Sequence, residues 1–145
     1  MDQLKLAALD QEDLQVLSTH LQDAVMTVAD IRFLPKEKKA VFIVNRFVWD
    51  KEADKRTREH ERRRSALAVG QVTGMKVQNI RQEAKGVVLE LLAVTFEAAD
   101  EPSGKIQLAF AGGASIALDV ECIEAQLSDL GAAWSTPNLP QHDLS

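Results

Sequence analysis

No run in this chain approaches the roughly 20 apolar residues that a membrane-spanning helix needs. The longest candidate, residues 87–96, is short and carries Glu90. The first residues offer no basic segment followed by an apolar one, because Asp10, Glu12 and Asp13 come early, so no secretory signal is expected. There is one cysteine, Cys122, which excludes an internal disulfide and fits a reducing compartment. Cytoplasmic localisation follows as the expectation.

Chemistry is equally sparse. The three histidines, His20, His60 and His142, share no metal-ligand spacing, and one cysteine cannot build a thiolate cluster, so no metal is expected. His20 borders a helical stripe, His60 lies in a charged run and His142 near the C-terminus, so all three read as structural or solvated. Phosphate-cradling glycine patterns and the nucleophile elbow are missing, and no cofactor is expected. Cys122 could be activated at a helix N-terminus, but no histidine partner can be named, and a small buried hydrophobe is the simpler reading. An enzyme would need a site of scattered residues such as His20, Cys122 and Asp30.

What is present describes one domain. The 145 residues are 46% apolar and 27% charged, with a net charge of −5. That balance is globular, and it disfavours nucleic acid as the partner of the average surface. Asp10 is placed to cap a helix from residue 11, with Leu14, Leu17, Leu21 and Ala24 or Val25 as its buried stripe and Leu9 set to staple Leu14. Residues 25–34 suit a strand ending at Pro35, and 36–39 a charged turn. Residues 40–49, AVFIVNRFVW, are the most strand-like run, apolar on both parities, as befits a central strand.

Residues 50–64 carry a net +2 and read as a loop or exposed helix. Strand character returns at 67–77, where Gly70 and Gly74 suggest bulges, and again at 87–96. In KIQLAFAGGASIALDVECIEAQLSDLG, residues 105–131, two alternating runs flank Gly112-Gly113, a hairpin with a tight type I′ turn. Ile123, Leu127 and Leu130 are spaced as a helical stripe, with Gly131 as its C-cap. Residues 132–145 read as a tail. The expected fold is thus α+β: a bent, mainly antiparallel sheet of about six strands with an N-terminal and a C-terminal helix, similar in element order to a pleckstrin-homology barrel.

The distinctive surface feature is basic: Lys55, Arg56, Arg58 and Arg62, Arg63, Arg64, interleaved with Glu52, Asp54, Glu59 and Glu61. Mixed signs weaken long-range steering, yet the arginines could grip phosphates or an acidic partner, with Trp49 as a stacking platform. Arg46 inside an apolar strand is either at the sheet rim or paired within, Asp30 and Arg32 being the candidate companions. The binding residues expected are therefore Arg46, Trp49, Arg62, Arg63 and Arg64. The function expected is a non-catalytic binding or adaptor module for a protein or an anionic ligand. RNA binding through residues 55–64 and a homodimer through exposed sheet are the other expectations.

The segments LPKEKKAVFIVNRFVWD, RRRSAL and SIALDVECIEAQLSDLGAAW resemble those of the DUF2948 family, small alphaproteobacterial proteins. The resemblance runs from Leu4 to about Asp143. It implies a cytoplasmic bacterial single domain and carries no activity, cofactor or site residue.

Overall fold

A computed structural model describes residues 4–47 and 62–130. Ten strands and one α-helix make it up, in the order β1 (Lys5–Ala8), α1 (Gln11–Leu21), β2 (Val25–Thr27), β3 (Ile31–Leu34), β4 (Lys39–Phe47), β5 (Arg62–Val69), β6 (Val72–Gln78), β7 (Val88–Ala98), β8 (Gly104–Phe110), β9 (Ser115–Val120) and β10 (Ala125–Asp129). Every pairing is antiparallel, in the order β1-β10-β5-β4-β2-β7-β8-β9-β6, with β3 also on β4. The expected α+β fold of six strands with two helices is overturned: among the described residues the protein is antiparallel sheet with one helix.

The helix starts where the cap dictates. Asp10 accepts a hydrogen bond from the Asp13 N–H at 2.8 Å, and Leu14, Leu17, Leu21 and Ala24 are buried. The staple does not form, since Leu9 is 70% exposed. Helix α1 packs across β7, β1 and β4. It is tied to β7 by a Val94 N–H bond to Ser18 Oγ and by backbone bonds joining Asp23 and Ala24 to Leu91.

The strand expected over 25–34 is two. Thr27 donates its N–H and its hydroxyl to Asp30 Oδ2, winding Val28–Asp30 into one 3-10 turn. That turn moves the chain from one neighbour to another: β2 pairs β7 and β3 pairs β4. Glycine marks the next bend as expected, with a corner at Gly70-Gln71 and a register shift between Val72 and Gly74.

That corner makes the sheet close. Gly70 donates to the Glu124 carbonyl and Glu121 to that of Gln71, so β5 with β6, and β10 with β9, run as two bent strands paired through the bend. The ladder then passes from β4 through β5/β6, β10/β9, β8, β7 and β2, and returns to β4 at the Val25–Asn45 pair. A six-strand barrel results, with α1 packed against β4 and β7. Its interior holds Phe42, Val44, Leu67, Leu91, Ile106, Leu108, Ile116, Leu118 and Leu127, none more than 0% exposed.

The Gly112-Gly113 turn is wider than a type I′ turn. Ala111–Gly113 form a three-residue loop closed by a Phe110 N–H bond to the Ala114 carbonyl, with φ of 85° and 86° at the two glycines. The expected C-terminal helix is strand β10 and the extended residues before it, where Ile123, Ala125 and Leu127 are buried and Glu124 and Gln126 exposed. Period two overrides the i, i+4, i+7 spacing because β5 offers an open edge to pair with. The likeness to a pleckstrin-homology barrel rested on that helix and falls with it.

Candidate functional site

Along β4 the inward positions are Ala40, Phe42, Val44 and then Arg46. Along the β10 ribbon they are Ile123, Ala125, Leu127 and then Asp129. Each row of apolar side chains ends in one charge, and the two charges meet. Arg46 Nε donates to Asp129 Oδ1 and Nη2 to Oδ2, both at 3.0 Å, with side chains only 6% and 1% exposed. Ser65 Oγ adds a 2.7 Å bond to Oδ1, and the Leu4 N–H a 2.9 Å bond to Oδ2. Arg46 also donates to Ser65 Oγ and to the Phe47 carbonyl.

The pair is thus inside, not at a rim, and its partner is Asp129 rather than Asp30. Four donors occupy the roughly four acceptor sites of the Asp129 carboxylate, so it holds no lone pair free to bind a substrate or take its proton. Burial alone would raise the Asp129 pKa. The bonds from Ser65 and Leu4 and the Arg46 charge outweigh it and hold the carboxyl below its usual value. His20, at the last turn of α1, feels the same cluster: burial and then the Arg46 charge lower its pKa, against a smaller opposing pull from Asp129. The cluster is a clamp joining β4, β5, β10 and the chain before β1.

Arg46, expected among the binding residues, is engaged within the sheet by Asp129, Ser65 and the Phe47 carbonyl. Trp49, Lys55, Arg56, Arg58, His60, His142 and the tail 132–145 lie outside the described residues. Arg62, Arg63 and Arg64, expected in a loop or an exposed helix, begin strand β5. Arg63 takes the inward parity opposite Arg46, whereas Arg62 and Arg64 face out. The Arg62 guanidinium lies over the Phe47 ring, 4.8 Å from its centroid, on its register partner. Arg64 reaches Asn45 Oδ1 at 3.4 Å and Asp30 Oδ1 at 3.8 Å.

These two arginines belong to a larger surface. Register places Lys5, Ser128, Ala66 and Ile43 in one outward row, and Ala7, Gln126, Ala68, Val41 and Arg32 in the next. Toward the far end of β5 come Arg64 with Asn45, then Arg62 with Phe47. Beside Lys5, the small side chains Ala66, Ala68 and Ser128 floor a hollow of about 350 Å³. Among the described residues the ionic side chains in these rows are all cations; Asp129, which also lines the hollow, is paired with Arg46, and at the border stand Asp30, held by Thr27 and Arg64, and Glu124, held by Gln71.

His20, Cys122 and Asp30 do not converge. His20 lies in the last turn of α1, Asp30 caps a 3-10 turn, and Cys122 lines a separate cleft with Leu9, Phe96 and Pro102. Among the described residues no group of histidine, cysteine and acids could hold a metal ion, and no helix is long and apolar enough to cross a membrane. No curated protein and no solved structure matches the chain. One family does, over residues 4–142, nearly the whole sequence, and the chain belongs to it: DUF2948, a family of proteins of unknown function.

Proposed function

We propose that this protein is a non-catalytic binding module whose outward β1-β10-β5-β4-β3 face takes an anionic partner. One observation carries the reading: Lys5, Arg32, Arg62 and Arg64 share that face, and the Asp129 that lines its hollow is neutralised by Arg46, on a chain whose net charge is −5. Charge of one sign concentrated on a fixed sheet focuses the local field in a way that the mean charge conceals. The strands set the spacing, since residues two apart along β5 stand about 6.6 Å apart. The Arg62–Phe47 stack offers a flat cationic surface beside the row.

Binding of a labelled oligouridine and a labelled polyglutamate, followed by fluorescence anisotropy at several salt concentrations, tests this. For a single strand each phosphate contact contributes about −0.7 to the slope of log K against log salt, so Arg62→Ala with Arg64→Ala should reduce the slope by about 1.4. For polyglutamate the same variant should weaken binding. Affinity that ignores both salt and these substitutions would sink the proposal.

A further inference from the structure

At the opposite end of β4 from the clamp, the barrel opens. Ile31 and Phe33 of β3, Met75 and Val77 of β6, and Ile80 surround a cleft of about 130 Å³ whose floor is Val28 and Ile116, 5% and 0% exposed. Two polar residues, Gln82 and Lys85, belong to its lining. We infer that this cleft binds a small amphiphilic carboxylate: one aromatic or branched aliphatic group seated against Ile31, Phe33, Val77 and Ile116, with its anion at Lys85.

Size, lining and charge each narrow the occupant. An apolar cavity of about 150 Å³ takes up benzene, so this one suits a single ring or a short branched chain rather than a long acyl tail. Mouths of barrels, lined by apolar groups with few polar ones, are a recurrent place for small ligands. Among the described residues Lys85 has no ion-pair partner, and its neighbour Glu83 lies 4.0 Å from Arg81. An anion there would complete the one open charge of the rim.

The rim is also held in place. Ala29 N–H bonds the Lys85 carbonyl and Val28 N–H the Val87 carbonyl, both at 3.1 Å, and the chain between is turned by Ala84 N–H to Arg81 and Val87 N–H to Ala84. A ligand would meet a preformed site and lose little to ordering it. On β3 the cleft residues Ile31 and Phe33 alternate with Arg32 and Leu34 of the basic face, so the two surfaces lie on opposite sides of one strand and are separately testable.

The test is a titration of the isotopically labelled full chain, followed by amide NMR, with phenylacetate and 4-methylpentanoate against 2-phenylethanol and acetate. The two amphiphilic carboxylates should shift Ile31, Val77, Ile80 and Lys85, with 2-phenylethanol weaker by about tenfold for want of one charge-assisted hydrogen bond, and acetate weaker for want of the apolar group. Lys85→Met should bring the carboxylates down to the level of the alcohol, and Val77→Phe should abolish binding while the other amide signals keep their positions. Arg62→Ala with Arg64→Ala should leave the titration unchanged. No shift around the cleft at about 10 mM ligand, equal response to alcohol and carboxylate, or a concentration-dependent dimer that buries these residues would each overturn the inference.

Discussion

Arg46 and Asp129 sit on strands that are not neighbours, yet their side chains join in two parallel 3.0 Å bonds across the strand between. They meet over β5 because the residue there is Ser65, fully buried, small, and itself bonded to both. Removing one partner leaves the other charge buried alone. Asp129→Ala should therefore cost about 3–5 kcal/mol, whereas Arg46→Met with Asp129→Leu should recover much of the loss, as apolar replacements of buried pairs often do. Urea denaturation of the single and double variants checks this, and equal losses in both would contradict it.

Acid should unfasten the same clamp. The folded Asp129 pKa lies below its unfolded value, so its contribution is complete above the unfolded value of about 3.9 and is lost as pH falls through the folded one. Stability measured from about pH 5 down to pH 2 should fall more steeply for the wild type than for Asp129→Asn.

His20 acts in a higher window. Its folded pKa is lowered, so the fold favours neutral imidazole: this contribution is present above the unfolded value of about 6.5 and is lost as pH falls below it. His20→Gln should flatten the stability profile between about pH 7 and 5 while leaving the acid limb, which belongs to Asp129, in place.

Asp30 restrains the basic face from its border. Asp30→Asn should weaken the Thr27 cap by about 1 kcal/mol and release Arg64. Thermal denaturation should show the loss while anisotropy shows tighter binding of the polyanion. Tighter binding without destabilisation, or the reverse, would separate two roles that one carboxylate here combines.

Gly104 is a packing requirement rather than a turn. A β-carbon there would collide with the Glu97 carbonyl oxygen and the Phe96 ring, and the backbone opposite cannot yield as a flexible side chain would. Gly104→Ala should cost about 1–3 kcal/mol, the usual penalty for overpacking, read from the denaturation midpoint.

Sequence pattern made some of this legible. Asp10 with its leucine stripe located α1, the run of β-branched and aromatic residues located β4, and alternation located β8 and β9, because these signals are local. The C-terminal helix failed because Ile123, Leu127 and Leu130 fit a helical spacing, while Ile123, Ala125 and Leu127 fit a strand in which alanine is too weak a hydrophobe to stand out. Asp129 went unnoticed for the same reason. Taken as a strand, residues 123–129 place one acid at the end of an inward row, the counterpart of Arg46 at the end of 40–46. Two lone opposite charges closing two apolar rows was the available signal. Arg62 to Arg64 were assigned to a loop or an exposed helix because strands seldom open with three cations, and only the β4 edge makes that pairing worthwhile. The barrel-mouth cleft joins residues of β3, β6, β9 and the segment before β7, and no local pattern announces a site assembled from such distant parts.

The Leu4 N–H that bonds Asp129 is 125 residues away from it along the chain. Strand β10 is the last of the described strands along the chain, and it supplies both the partner of β1 and the counter-charge of Arg46. The clamp can therefore close only once Asp129, 83 residues beyond Arg46, has been made. Chains cut short of β10 should accordingly be soft and readily degraded, a built-in check that only a finished strand order is retained.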